Sequence, residues 1–144
     1  MAKVTGLGAF ISVADATPTV QTISNDVTNF TLTTPRAVQD TTGVDKTAIE
    51  RLLLLADLSV TFNGVVNPSA GASHSVFSTI TQATAAAGGT ARATVIGPTS
   101  AGNATPKMSF NAIYTDYQIT RATGGALTWQ APGVLSDGTN PTWA

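Results

Sequence analysis

The chain is 144 residues long, 42% hydrophobic and only 10% charged, with seven basic residues, eight acidic ones and a net charge of -1. A chain of this length buries about two thirds of its unfolded surface without help from metals or disulfides, so a single domain over 1–144 is expected. Cysteine is absent, which excludes disulfides, thiolate catalysis and sulfur-based zinc sites, and so lightly charged a surface points to obligate association between copies.

The start, MAKVTGLGAF, lacks the apolar core of a signal peptide. The longest apolar run, Leu52 to Ala56, is too short to cross a bilayer, so a soluble protein made in a cytoplasm is expected. Lys3 to Val13 reads as a first strand with Ala9, Ile11 and Val13 on one side, weakened by Gly6 and Gly8. Asp15 to Pro18 is a turn, Val20 to Ile23 a brief extended piece, and Ser24-Asn25-Asp26 another turn. Val27 to Thr34 and Val38 to Thr42 are Thr-rich extended runs either side of Pro35-Arg36-Ala37. They are expected to form a hairpin with one face wet or against another chain. Asp45 to Ala56 is ambiguous between a short helix capped by Asp45 and a strand through Leu52 to Leu55, and reads as irregular with one helical turn.

From Leu58 the alternation is clean, with Leu58, Val60 and Phe62 set against Ser59, Thr61 and Asn63, and Gly64 predicts a bulge or kink. After the turn Asn67-Pro68-Ser69-Ala70-Gly71, Ser73 caps a helix carrying Val76, Phe77, Ile80 and Ala83 or Thr84 on one face. Gly88-Gly89 stops that helix, Thr90 to Ile96 follows as a strand, and Gly97 to Pro106 is a polar loop. In the final stretch Ile113, Tyr117 and Ile119 share one alternating face, as do Leu127, Trp129 and Ala131. A two-residue loop at Gly124-Gly125 would set Ile119 opposite Gln130 and split the apolar sets between two faces. A three-residue loop, Thr123-Gly124-Gly125, sets Ile119 opposite Trp129 and Tyr117 opposite Ala131, with Gly125 in the left-handed conformation; only this register makes one buried face. About seven short strands and one helix predict a mainly β fold, an antiparallel sandwich or partly closed barrel with the helix packed against it.

Reactive groups are sparse. His74 is the sole histidine and reads as an exposed residue in the first turn of the helix, without a G-x-S-x-G elbow or an orienting acid. The acids are scattered and form neither a calcium loop nor H-E-x-x-H, and no phosphate-binding glycine loop is present. The seven basic residues do not cluster, which argues against tight nucleic-acid binding. Tyr114, Tyr117 and Trp129 read as core in preference to a sugar-stacking platform. No catalytic residue, metal or cofactor is therefore expected.

Three segments carry a resemblance. They are Asp40-Thr41-Thr42-Gly43 closing a Thr-rich run; Ala56 to Asn67 followed by a small-residue turn and Ser73-His74-Ser75-Val76-Phe77; and Asp116 to Trp143 with its A-L-T-W strand and closing S-D-G-x-x-P-x-W. In this order they resemble the major tail tube protein of long-tailed, siphovirus-like bacteriophages, over about two thirds of the chain. The resemblance implies a structural protein of the virion tail, assembled in the bacterial host cytoplasm from six-membered rings that stack into a hollow tube. It implies as partners other copies of itself, a tape-measure protein in the lumen, tail terminator and baseplate or tip proteins, and double-stranded DNA in passage, with no membrane. In that family a hairpin from each subunit joins a continuous barrel around the lumen, and Val27 to Thr42 is the candidate here. Asp26, Thr31, Thr33, Gln39 and Asp40 are then lumen-lining candidates, because a channel that transmits DNA should not grip it. Phe62, Phe77, Ile80, Tyr117, Ile119, Leu127 and Trp129 are candidates for the core or the assembly contacts. The alternative is a β-sandwich decoration or receptor-recognition module of a virion.

Overall fold

Strands that alternate apolar and polar residues can hide only one face, and here they do so by joining edge to edge around a common core. The structure, a computed structural model, describes residues 8–82, 91–98 and 106–144. In chain order the elements are β1 Phe10–Ala14, β2 Val20–Thr22, β3 Val27–Thr33, β4 Arg36–Asp40, β5 Arg51–Ala56, β6 Ser59–Val65, and helix α1 Ser73–Phe77, which tightens into a further turn Ser78–Gln82. After these come β7 Arg92–Gly97, β8 Met108–Tyr114, β9 Gln118–Arg121, β10 Leu127–Leu135 and β11 Thr142–Trp143. The readings that fall on 3–7, 83–90 and 99–105, including Ala83, Thr84 and the Gly88-Gly89 stop, lie outside the described residues.

The fold is mainly antiparallel β with one short helix, as the sequence predicts. Its main sheet runs β2-β1-β7-β8-β10-β6-β3, with β9 added to β10 and β11 to β8. The branching comes from β10, whose first half pairs with β9 and whose last residues pair with β8, while β6 lies along its other edge. The inner face is filled by Phe62, Phe77, Tyr114 and Trp129, with Val13, Ile23, Leu58 and Val60 around them. Phe77 is the plug. Its ring lies 5.1 Å from Tyr114, edge to face, and 5.1 Å from Trp129, so α1 is anchored by one aromatic side chain driven into the sheet. Ile80 and Tyr117 pack half-buried against this core.

The register of the last hairpin is the expected one, with Trp129 opposite Ile119 and Thr128 opposite Thr120. Gly125 has φ +91, and its N–H donates to the Ala122 carbonyl. Three features differ from expectation. The apolar face of this hairpin is only partly covered: Trp129 and Ala131 are buried, but Ile119 is 44% and Leu127 40% exposed. They keep the right parity yet lie past the end of the core. The chain also breaks between β8 and β9, so Ile113 is half-buried while Ala112 and Tyr114 take the core positions beside it.

The second difference is in pairing. β3 and β4 do not form a hairpin; β3 pairs with β6, and β4 pairs with β5. Together they make one long hairpin whose register carries across the junction, from Thr33 opposite Ser59 to Arg36 opposite Ala56. Pro35, read as a turn, is a hinge in one leg; its carbonyl accepts the Asp57 N–H. Arg51–Ala56 is accordingly a strand, not an irregular segment with a helical turn.

The third concerns Gly64. The bulge is on the partner strand, between Val27 and Asn29, and β6 passes through Gly64 unbroken. A Cβ there would collide with the Asp26 carbonyl oxygen and lie 2.8 Å from the Trp129 indole nitrogen, so only glycine lets β3 approach.

Candidate channel face and assembly arm

The four adjacent strands β9-β10-β6-β3 present one broad outward face. Because cross-strand partners share a face, the ladder pairs identify its members. Asn29 lies opposite Asn63, Thr31 opposite Thr61 and Thr33 opposite Ser59; Asn63 lies opposite Gln130, which in turn lies opposite Gln118. Thr128 faces Thr120, and Val65, Pro132 and Val134 complete the set. Every polar side chain here is a hydroxyl or a carboxamide, and none of these positions carries a charge. They satisfy one another locally: the Asn63 amide donates to Asn29 Oδ1 at 2.8 Å, and the Thr33 and Ser59 hydroxyls lie 2.6 Å apart. A shallow hollow lined by Thr28, Asn29, Asn63, Gln118, Thr120 and Gln130 runs across it. The outer edges of β3 and β9 bound this face, and within the described chain neither has a second strand partner.

Beyond the Pro35 hinge, β4 and β5 leave the body as a two-stranded arm. The guanidinium of Arg36 crosses it, donating from Nε at 3.1 Å and Nη2 at 2.8 Å to the Leu54 carbonyl. At the tip, Thr42 closes the loop by accepting the Glu50 N–H at 2.8 Å. Leu52, Leu53 and Leu55 are 56%, 53% and 88% exposed.

The lumen candidates therefore separate. Thr31 and Thr33 belong to the uncharged face. Gln39 and Asp40 belong to the arm, opposite Leu52 and Arg51. The Asp40 carboxylate is exposed and accepts the Thr42 hydroxyl and N–H, which hold its pKa below the ordinary value. Asp26 is corrected. It is 6% exposed and caps α1 across 47 positions of sequence, accepting the Ser73 N–H at 2.9 Å on one oxygen and the Asn67 amide at 2.8 Å on the other. Ser73, expected as the cap, is the first helical residue, and the cap position is Ala72. No signal within a local window could have assigned Asp26 this role.

Two other polar groups are structural. Arg92 is 3% exposed; its guanidinium donates to the Val76 carbonyl at 2.6 Å and the Thr79 hydroxyl at 2.7 Å, gripping the end of α1. Burial lowers its pKa, and the negative charge of Asp15 works the other way. His74 is half-buried instead of exposed: its Nδ1 lies 3.1 Å from the Tyr117 hydroxyl, and burial raises the Tyr117 pKa. Among the described residues no group of three or more His, Asp or Glu is placed to hold a metal ion.

An antiparallel β fold with a single plugging helix, a neutral sheet face and a projecting arm is a tail-tube-like fold. No protein-family model and no curated protein matches the sequence. Solved structures match over its whole length. A protein in the tail of an empty gene transfer agent particle, obtained by helical refinement with C6 symmetry, has a TM-score of 0.70 at 13% identity, covering 99% of each chain. A protein of the native gene transfer agent virion gives 0.68 at 12% identity, again over 99% of each chain. A protein of the six-fold symmetrised baseplate of the anti-feeding prophage gives 0.67 at 9% identity, covering 100% of this chain and 97% of that one. The chain thus has the fold found in the tails of phage-like particles.

Proposed function

We propose that this chain is the structural subunit of a phage-like tail tube: six copies close into a ring, and rings stack into a hollow tube that conducts double-stranded DNA. The observation that carries this reading is the uncharged face of β9-β10-β6-β3. A lysine on it would be repeated around every ring and bind phosphate through counterion release, whereas hydroxyls and carboxamides let a duplex slide. Thr31, Thr33, Thr61, Asn63, Gln118 and Gln130 are then the lining. The free edges of β3 and β9 supply closure, the edge of one copy pairing with that of the next, which removes the sheet ends that would otherwise invite uncontrolled pairing. Ile119 and Leu127, exposed in one subunit beside the β9 edge, become buried at that joint. The six-fold symmetry of the tail and baseplate structures that share the fold supports the ring number. A tape-measure protein in the lumen and terminator and tip proteins at the ends complete the set of partners in the virion tail.

Electron microscopy of the purified protein tests this directly. Rings or tubes with an open bore are expected, and Thr61→Cys should react with a reagent wider than the bore in free subunits but not in tubes. Persistent monomers, or tubes in which position 61 stays reactive, would exclude it.

A further inference from the structure

Four leucines in a row, Leu52 to Leu55, form β5, and successive residues of a strand point to opposite faces. In a subunit that hid one face of this strand, two of the four would be covered. Neither pair is: Leu53 and Leu55 on one face are 53% and 88% exposed, Leu52 and Leu54 on the other 56% and 36%. Val38, opposite Leu53, adds to the first face at 53%, and Val44 and Ile49 extend the exposed apolar surface toward the tip. Of the thirteen exposed large hydrophobic residues described, seven sit on this arm, so its apolar surface is a concentrated feature and not scatter.

Resting on the tube reading above, we infer that the arm is inserted between two further copies of the chain, one against each face, instead of lying on a single neighbour. One contact surface would leave either Leu53 and Leu55 or Leu52 and Leu54 in water. The arm's charges favour a copy of the chain over a strongly charged partner: Arg36, Lys46 and Arg51 are matched by Asp40, Asp45 and Glu50, and the whole chain carries only -1. A lipid bilayer is a poorer occupant. β5 has six residues where a spanning strand needs about 9 to 11, and the tip would have to carry Asp45, Lys46 and Glu50 through hydrocarbon. The Arg36 clamp on the Leu54 carbonyl and the Thr42 closure at the tip keep the arm formed before it is covered.

The two faces can be tested separately, because a lysine at either position touches nothing in the body of the subunit. Leu53→Lys alters one face and Leu52→Lys the other. Each should raise the protein concentration needed for tubes at least about tenfold, the cost of losing one buried leucine at a contact repeated in every copy. Circular dichroism and the melting temperature of the subunit should be unchanged. If one variant assembles like the wild type, the arm has a single covered face and the inference fails while the tube reading stands. If wild-type protein makes no ring or tube, the tube reading itself fails. Flotation of wild-type subunits with neutral lipid vesicles, lost in both variants, would replace the second copy with a membrane and also overturn the inference.

Discussion

Trp129→Ala probes how the core is built. The indole is 2% exposed, its ring lies 5.1 Å from Phe77 and 6.1 Å from Tyr117, and its nitrogen donates to the Val65 carbonyl at 3.0 Å. An indole hides about 200 Å², roughly 5 kcal/mol at about 25 cal/mol per Å², and the hydrogen bond contributes about 1 kcal/mol more. Phe77 and Tyr117 can relax into part of the space, which brings the expected loss to about 3 to 5 kcal/mol. That is a large share of what holds a domain of this size together. Urea unfolding followed by far-ultraviolet circular dichroism, on subunits kept below the concentration of assembly, measures it. Trp129→Phe keeps most of the area but strands the Val65 carbonyl, and should cost about 1 to 3 kcal/mol. The other tryptophan supplies a control: Trp143 is 55% exposed. In a Trp143→Phe background the remaining emission should be blue-shifted and shielded from acrylamide. A loss under about 1 kcal/mol for Trp129→Ala together with red-shifted, quenchable emission would refute the core placement.

Removing the distant cap should be nearly as visible. Asp26→Ala strands the Ser73 N–H and the Asn67 amide and is expected to cost about 2 to 4 kcal/mol in the same unfolding assay, with Asp26→Asn recovering part of it; a neutral result would mean that α1 is held by Phe77 and Arg92 alone. Asp15 gives a pH dependence. The Thr17 hydroxyl, then the Gln21 amide, lower its pKa from 3.8 to about 2, with the Thr19 and Thr17 N–H groups adding to this. A carboxylate whose pKa falls on folding stabilises the fold above its unfolded value, and that contribution disappears as the pH drops through the folded one. Asp15→Asn should therefore melt below the wild type at about pH 5 and converge on it by about pH 2. Parallel melting curves across that window would show that the Asp15 turn does not couple to unfolding.

Alternation made β6, β7 and the β9–β10 hairpin legible, because in each a single choice of register buries one consistent face. The Gly125 turn confirmed that choice within a few residues of sequence, and the small-residue turn before α1 was equally local. Composition carried the hint of self-association, since a chain with 10% charge has little to keep copies apart. The candidate lining was half readable: Thr31 and Thr33 are on the uncharged face, but Gln130, Gln118 and Asn63 join it through pairings among three separate stretches of chain.

Alternation says which side chains share a face; it does not say whether anything covers that face. Ile119 and Leu127 have the parity of Trp129 and stay exposed, because the core ends before it reaches them. The leucines of β5 look like an interior run and lie bare on an arm, because β4, their only partner in the subunit, adds width but no cover. Asp26 reads as a turn residue and becomes a buried helix cap, since its two donors arrive from 41 and 47 positions away. Sequence by itself determined the strands, their polar and apolar sides and the scarcity of reactive groups, all of which depend on neighbours along the chain. Only the tertiary structure decided that β3 pairs with β6, that an uncharged face four strands wide exists, and that an apolar arm projects from it, because each depends on which distant segments meet.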